Sequence, residues 1–177
     1  MMIRFAFSYC RSSRHAVATA CVVLLALWVC AGLGQAQADT GPFAGLNGRW
    51  SGTGIIRQQG GKTERIRCNA NYRPLGSTQH DVNVGLSCSS DSYHFDLDSE
   101  FHADESNRIS GRWSERSRNI GGTGIGYVRG NRIQIHIETS AFAATVHMTT
   151  RGSRQSVTID SQGGGEIANV SLTLHRH

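Results

Sequence analysis

The chain has 177 residues, with 18 lysines and arginines against 13 aspartates and glutamates, a formal net charge of +5. Three arginines and no acidic residue precede Asp39, so the rest of the sequence carries 15 basic and 13 acidic residues, a net charge of +2. This small excess excludes a strongly basic nucleic-acid-binding protein, and the length corresponds to one domain.

The start of the chain has the three parts of a secretory signal peptide. A segment with three arginines is followed by an uncharged run over residues 16–34 and by an Ala-x-Ala pattern that ends at Ala38. The sequence predicts a signal peptide at 1–38 and one domain at 39–177, in a periplasmic or secreted protein without stable membrane insertion after cleavage. An uncleaved anchor is the alternative, because the apolar run approaches the roughly 20 residues that span a bilayer.

Removal of this segment would leave two of the five cysteines, Cys68 and Cys88. Two cysteines in an oxidising compartment usually form a disulfide, which is favoured here over a redox pair or a metal thiolate site. An antiparallel hairpin that places Cys68 opposite Cys88 also places Ala70 opposite Leu86. Apolar residues then face apolar residues, which supports the disulfide.

From residue 39 onward, apolar and polar residues alternate with a period of two, which is typical of half-buried strands. Glycine-rich turns separate about ten such segments, and short connections indicate an antiparallel meander. The predicted fold is all-β, most simply a small up-and-down barrel, because closure removes exposed strand edges. A β-sandwich is the alternative. A short helix is expected near residues 42–46, and residues 121–126 are expected to form a bulge or turn.

In a closed barrel one of the two alternating faces points inward, and the apolar rows are expected to provide it. They would line a cavity suited to a small, partly apolar ligand, held by apolar burial. The predicted lining residues are Tyr72, Phe95, Leu97, Trp113, Ile135 and Val146.

One predicted strand carries a row of polar side chains on its other face. The row consists of His94, Asp96, Asp98, Glu100 and His102. Histidine and carboxylates at alternate positions could bind a metal through His94, Asp96 and Asp98, or could catalyse hydrolysis. Pairing with the next strand places Asp98 opposite Arg112, so a solvent-exposed ladder of ion pairs is the favoured interpretation. The sequence predicts no catalytic residue and no cofactor.

Three segments together resemble a family of small exported proteins of alphaproteobacteria. The segments are Glu64-Arg65-Ile66-Arg67-Cys68-x-Ala70-x-Tyr72, Cys88-x-Ser90-Asp91-Ser92-Tyr93-x-Phe95-x-Leu97 and Ile109-Ser110-Gly111-x-Trp113-Ser114-Glu115-x-x-Arg118-Asn119. The resemblance implies secretion and the disulfide, and it implies no particular activity. Gly48-Arg49-Trp50 is more loosely similar to the Gly-x-Trp that opens the first strand of lipocalin and avidin-like calycin barrels. That similarity implies a closed barrel with a small-ligand cavity.

The expected function is a non-enzymatic periplasmic β-barrel that binds a small, partly apolar ligand. One alternative is a metal-binding protein or hydrolase that uses the row from His94 to His102. Another is an extracytoplasmic protein–protein interaction or inhibitor module that presents arginine-rich loops. The volume of an apolar cavity would separate the first function from the other two.

Overall fold

The computed structural model describes residues 41–140, 142–163 and 165–177. The predicted signal peptide at 1–38 lies outside these residues and stays a prediction. A 3-10 helix at Ala44–Leu46 falls where a short helix was expected. Ten strands follow within the described residues: β1 (Gly48–Gln58), β2 (Thr63–Leu75), β3 (Asp81–Ser89), β4 (His94–Ala103), β5 (Arg108–Glu115), β6 (Ile120–Arg129), β7 (Arg132–Glu138), β8 (Ala143–Arg151), β9 (Arg154–Gln162) and β10 (Ile167–Arg176).

Each strand pairs antiparallel with the next one in the chain, and β1 pairs with β10, which closes the sheet into a barrel. The prediction of an all-β up-and-down barrel is therefore confirmed, and the alternative of a β-sandwich is wrong. Closure pairs the edge groups that an open meander would leave exposed. Among the described residues, no helix is long and apolar enough to cross a membrane.

The alternation of apolar and polar residues divides each strand into an inner and an outer face. Along β2, Ile66, Cys68, Ala70 and Tyr72 are each at most 4% exposed, while the residues between them are exposed or half-buried. The same pattern continues around the barrel, so the apolar rows form its interior.

The β2–β3 hairpin has the register that the cysteines predicted. Cys68 lies opposite Cys88 and the two are joined by a disulfide, while Ala70 lies opposite Leu86. The predicted disulfide is confirmed, and it joins two inward-facing positions of adjacent strands.

The β4–β5 register differs from the predicted one. Asp98 lies opposite Ser114, and Arg112 lies opposite Glu100 instead of Asp98. The prediction was wrong by two residues. A shift of two leaves every side chain on the same face of the sheet, so the apolar pattern alone could not distinguish the two registers.

Residues 121–126 do not form the predicted bulge or turn, since they lie within β6 and pair with β5 without a break, and from residue 123 onward they also pair with β7. Glycine has a packing role here. A Cβ on Gly124 would lie 2.8 Å from Cε1 of Phe101 and 3.0 Å from Cγ2 of Ile135. The missing side chain leaves room for Phe101 and Ile135 inside the barrel.

One end of the barrel is closed by the segment that precedes β1. Phe43 and Leu46 are 1% and 5% exposed and belong to the core. The indole Nε1 of Trp50 donates a hydrogen bond of 2.7 Å to the carbonyl oxygen of Leu46. The guanidinium of Arg176 lies 4.8 Å from the centre of the Trp50 ring. The bond from Trp50, together with one of 2.9 Å from Nη2 of Arg176 to the carbonyl oxygen of Gly45, anchors the segment against the first and last strands.

Buried side chains also fill the barrel next to this plug. The Tyr72 hydroxyl donates to Oε1 of Gln155 at 2.7 Å, and Nε2 of Gln155 donates to Oγ1 of Thr150 at 3.1 Å. Burial raises the pKa of Tyr72 above its ordinary value, against a smaller opposite effect of the bond to Gln155, so the hydroxyl stays protonated. The remaining space in the interior lies toward the opposite end of the barrel.

Candidate ligand cavity

A cavity of about 360 Å³ occupies the end of the barrel opposite the plug. It reaches the loops that join β3 to β4, β5 to β6, β7 to β8 and β9 to β10, and these loops border its mouth. The lining is mainly aliphatic and aromatic. The lining residues are Ile66, Leu86, Cys88, Tyr93, Phe95, Leu97, Trp113, Glu115, Arg118, Ile120, Ile137, Phe142, Ala144, Ile159, Ser161, Gly165, Glu166, Ile167, Val170 and Leu172.

The aromatic part of the lining consists of two pairs of rings. Tyr93 and Phe95 stack nearly parallel, with 6.0 Å between ring centres and an angle of 6°. Trp113 and Phe142 pack at 6.1 Å with the planes tilted by 55°. Aromatic pairs at these separations provide large, rigid apolar surfaces.

The mouth contains a buried carboxylate, that of Glu115, whose side chain is 4% exposed. Its Oε1 accepts hydrogen bonds from the backbone N–H of Asp96 at 2.9 Å and of Ser117 at 3.1 Å, and from the Ser117 hydroxyl at 2.5 Å. Its Oε2 accepts the backbone N–H of Arg118 at 2.8 Å. The carboxylate therefore fastens β4 and the β5–β6 turn to the end of β5.

These contacts determine the ionisation of Glu115. Burial opposes the charged form, but the hydrogen bonds from Ser117, Asp96 and Arg118 outweigh it and lower the pKa of Glu115 from 4.5 to about 2. Glu115 is therefore a carboxylate at neutral pH. A general acid or base works best with a pKa near the operating pH, so this group is poorly matched to proton transfer.

Arg118 covers one side of the mouth. Its Nη1 lies 3.6 Å from Oε2 of Glu115 and donates to the carbonyl oxygen of His94 at 3.0 Å. Its guanidinium carbon lies 4.8 Å from the centre of the Phe95 ring, a cation–π distance. The side chain is 44% exposed, so it forms a boundary between the apolar cavity and solvent.

Tyr93, whose ring stacks on Phe95, also belongs to the mouth. Its hydroxyl accepts a hydrogen bond of 2.9 Å from Nε2 of Gln58. Burial, and next the neighbouring carboxylate of Glu166, raise the pKa of Tyr93, so the phenol is neutral at physiological pH. The polar groups of the lining thus include an ion pair, a neutral phenol, the Glu166 carboxylate and Ser161.

The six residues predicted to line a cavity all lie on the inner face, at two different depths. Phe95, Leu97 and Trp113 line the cavity. Tyr72 and Ile135 are buried in the filled part of the core, and Val146 packs against that core. The last three do not line this cavity.

The polar row of β4 lies on the outer wall, where it pairs with neighbouring strands and the β5–β6 turn. Arg116 contacts both Asp98 and, at 3.6 Å, Asp96. The other two pairs join Arg112 to Glu100 at 3.9 Å and His102 to Asp81 at 2.9 Å. Exposed ion pairs along this row are thus confirmed, but the predicted partners are wrong, since Asp98 contacts Arg116 and Arg112 contacts Glu100.

The alternative metal site at His94, Asp96 and Asp98 has no support in this geometry. His94 is exposed, and both aspartates engage Arg116. Over the described parts of the chain, no group of three or more histidine, cysteine, aspartate or glutamate side chains is placed to hold a metal ion.

The sequence reasoning missed Glu115 and Arg118 as residues of the mouth. A signal for Glu115 was present, because it continues the inner-face row of β5 after Ile109 and Trp113. A carboxylate in an otherwise apolar row marks a position where hydrogen-bond donors must be supplied. Arg118 lies within the turn between β5 and β6, so its position could not be read from the alternation along a strand.

A closed antiparallel barrel with one plugged end and a largely apolar cavity at the other defines a calycin-like up-and-down barrel. The fold is shared with Rv2717c from M. tuberculosis, with a TM-score of 0.60, 13% identity and coverage of 75% of this chain and 93% of that chain. It is shared also with the S-type phycobiliprotein lyase CPES from Guillardia theta, with a TM-score of 0.56, 13% identity and coverage of 76% and 90%. At this identity the similarity shows the fold alone. No protein-family model and no curated protein matches the chain.

Proposed function

We propose that the protein is a non-enzymatic binding protein that holds a small, largely apolar molecule in the barrel cavity. The observation that carries this proposal is the cavity itself, about 360 Å³ in volume and lined mainly by aliphatic and aromatic side chains. Ligand sites in proteins commonly enclose about 300–1,000 Å³, so this one suits a molecule at the small end of that range.

The groups at the mouth favour binding over catalysis. Glu115 is fixed by four hydrogen-bond donors and has a pKa of about 2, far from the range useful for proton transfer near neutrality. Arg118 is engaged by Glu115 and by the carbonyl of His94. These side chains shape the entrance and hold it in place.

The charge of the lining also favours one kind of ligand. The lining contains two carboxylates, Glu115 and Glu166, and one guanidinium, that of Arg118, which gives a formal net charge of −1. An anionic ligand would be repelled, and its charge would lose hydration in a largely apolar space. The expected ligand is neutral, or carries a cationic end that stays at the mouth.

The proposal is tested by titration with N-phenyl-1-naphthylamine, a neutral probe whose emission rises in apolar surroundings. At about 0.4 kcal/mol for each of its about 17 non-hydrogen atoms, binding would contribute about 7 kcal/mol, a Kd of about 10 µM. Ile137→Trp should abolish the signal because the indole occupies the cavity. Ile125→Trp is the matched control, since Ile125 is 63% exposed on the outer wall.

The expected result is saturable binding to the wild type and to Ile125→Trp, and loss of binding in Ile137→Trp. Equal binding by the wild type and Ile137→Trp would show that the probe sits outside the barrel. An absence of saturable binding to the wild type would also refute the proposal.

We further propose that the protein acts in the periplasm or is secreted. The Cys68–Cys88 disulfide supports an oxidising compartment, and the predicted signal peptide supports export. Mass spectrometry of protein from the periplasmic fraction should give a mature chain that begins at Asp39. Protein that retains Met1, or free thiols at both cysteines, would contradict this localisation.

A further inference from the structure

Trp113, one of the residues that line the cavity, carries a buried polar hydrogen without an acceptor. Trp113 is 6% exposed, points inward from β5 and lines the cavity. Its indole Nε1 is buried and has no hydrogen-bond partner among the described residues. Buried donors are nearly always paired in folded proteins, so an unpaired one on a residue that lines a cavity points to a partner that the chain does not provide.

The neighbouring polar groups do not satisfy this donor. Ser99 lies opposite Trp113 in the β4–β5 pairing, on the same inner face, and does not accept its hydrogen. The Glu115 carboxylate already accepts hydrogen bonds from the backbone N–H groups of Asp96, Ser117 and Arg118. The other indole of the barrel, that of Trp50, has its own acceptor in the carbonyl of Leu46.

We infer that the ligand is a neutral, mainly apolar molecule with one hydrogen-bond acceptor, a carbonyl or ether oxygen, that accepts from Nε1 of Trp113. This inference rests on the proposed function and narrows it to a ligand class. The rings of Trp113 and Phe142 provide the apolar surface beside the donor. A carboxylate is a poorer acceptor here, since the lining already carries a net charge of −1 from Glu115, Glu166 and Arg118.

A site with a buried donor discriminates between molecules that differ in a single acceptor. A ligand with an oxygen at the right place pairs the indole, whereas a hydrocarbon of the same shape buries the donor unpaired. Discrimination should therefore depend on the Trp113 N–H and should persist in variants that keep it.

The test compares 2-acetylnaphthalene with 2-ethylnaphthalene as competitors of N-phenyl-1-naphthylamine. The ratio of their two Kd values is measured in the wild type and in Trp113→Phe, which keeps an aromatic ring and removes the donor. A neutral hydrogen bond predicts that the preference for the ketone falls by about two- to tenfold in Trp113→Phe. Trp50→Phe is the matched control and should leave the ratio unchanged.

A second measurement on the wild type does not depend on the stability of a variant. In a ¹⁵N-labelled sample, the indole N–H resonance of Trp113 should move downfield with 2-acetylnaphthalene and much less with 2-ethylnaphthalene. The Trp50 indole resonance serves as an internal reference because its acceptor is already in place.

The outcomes separate this inference from the proposed function. An absence of saturable probe binding to the wild type would overturn the proposed function and this inference with it. Failure of both naphthalenes to displace a bound probe would overturn the inference alone. If both naphthalenes displace the probe but the ratio of their Kd values is the same in the wild type and in Trp113→Phe, the inference alone is overturned. An equal change in the chemical shift of the Trp113 indole N–H with both compounds would also overturn the inference alone.

Discussion

The ionised Glu115 carboxylate predicts a specific dependence of stability on pH. Its pKa is about 2 in the folded protein against an ordinary value of 4.5. A shift of that size corresponds to about 3 kcal/mol of the free energy of unfolding. Because the side chain is 4% exposed, solvent screens these hydrogen bonds weakly, and we expect Glu115→Gln to lose about 2–3 kcal/mol at pH 7.

The sign follows from where the proton binds. Above pH 4.5 the group is ionised in both states, and the stabilisation is fully present. As the pH falls from 4.5 toward 2, the unfolded chain takes up the proton first, so the stabilisation is lost across this window. The difference between the wild type and Glu115→Gln should therefore be largest at neutral pH and should approach zero near pH 2.

Urea unfolding of both proteins between pH 2 and pH 7 measures this difference. Other carboxylates titrate alike in the two proteins and cancel in the comparison. Glu105→Gln is the matched control, since Glu105 is exposed in the turn between β4 and β5. A difference that stays constant with pH, or a Glu115→Gln variant as stable as the wild type, would refute the reasoning.

Three further predictions concern other parts of the barrel. Reduction of the disulfide, whose cysteines are 20 residues apart, should lower the free energy of unfolding by about 3 kcal/mol. Urea unfolding with and without reductant measures this change, and equal unfolding midpoints would contradict the prediction. The double variant Asp96→Asn/Asp98→Asn should lower the free energy of unfolding by less than about 1 kcal/mol and leave probe binding unchanged, because these ion pairs are on the outer wall. Weaker binding of the probe by this variant would count against a site inside the barrel. Tyr72→Phe should lower the free energy of unfolding by about 1–3 kcal/mol, because Oε1 of Gln155 loses its donor. A Tm equal to that of the wild type would disprove this.

The fold was predictable because the alternation of apolar and polar residues holds along almost the whole domain. Where a second constraint was available, the register was also predictable, as the pairing of Cys68 with Cys88 shows. Between β4 and β5 no such constraint exists, and a shift of two residues brings equally suitable side chains together. Asp98 therefore faces Ser114 and not Arg112.

The cavity was only partly predictable for a related physical reason. Alternation identifies which face a residue occupies, but not its depth along the barrel axis. Phe95 and Trp113 lie at the depth of the cavity, whereas Tyr72 and Ile135 face inward where the barrel is filled. That depth depends on the tilt and stagger of all strands, which no single segment encodes.

The pairing of β1 with β10 is expected to form after the other strand pairs during folding. Every other pair joins strands that follow each other in the chain and can form as local hairpins, whereas this one joins the two described strands farthest apart in sequence. Such a non-local contact is slow to form because the whole intervening chain must first be ordered. Until it forms, both strands expose unpaired backbone groups, and a neighbouring chain can bind them. The protein concentration during refolding should therefore determine which fraction of the chains forms the closed barrel and which fraction associates with other chains through unpaired β1 and β10.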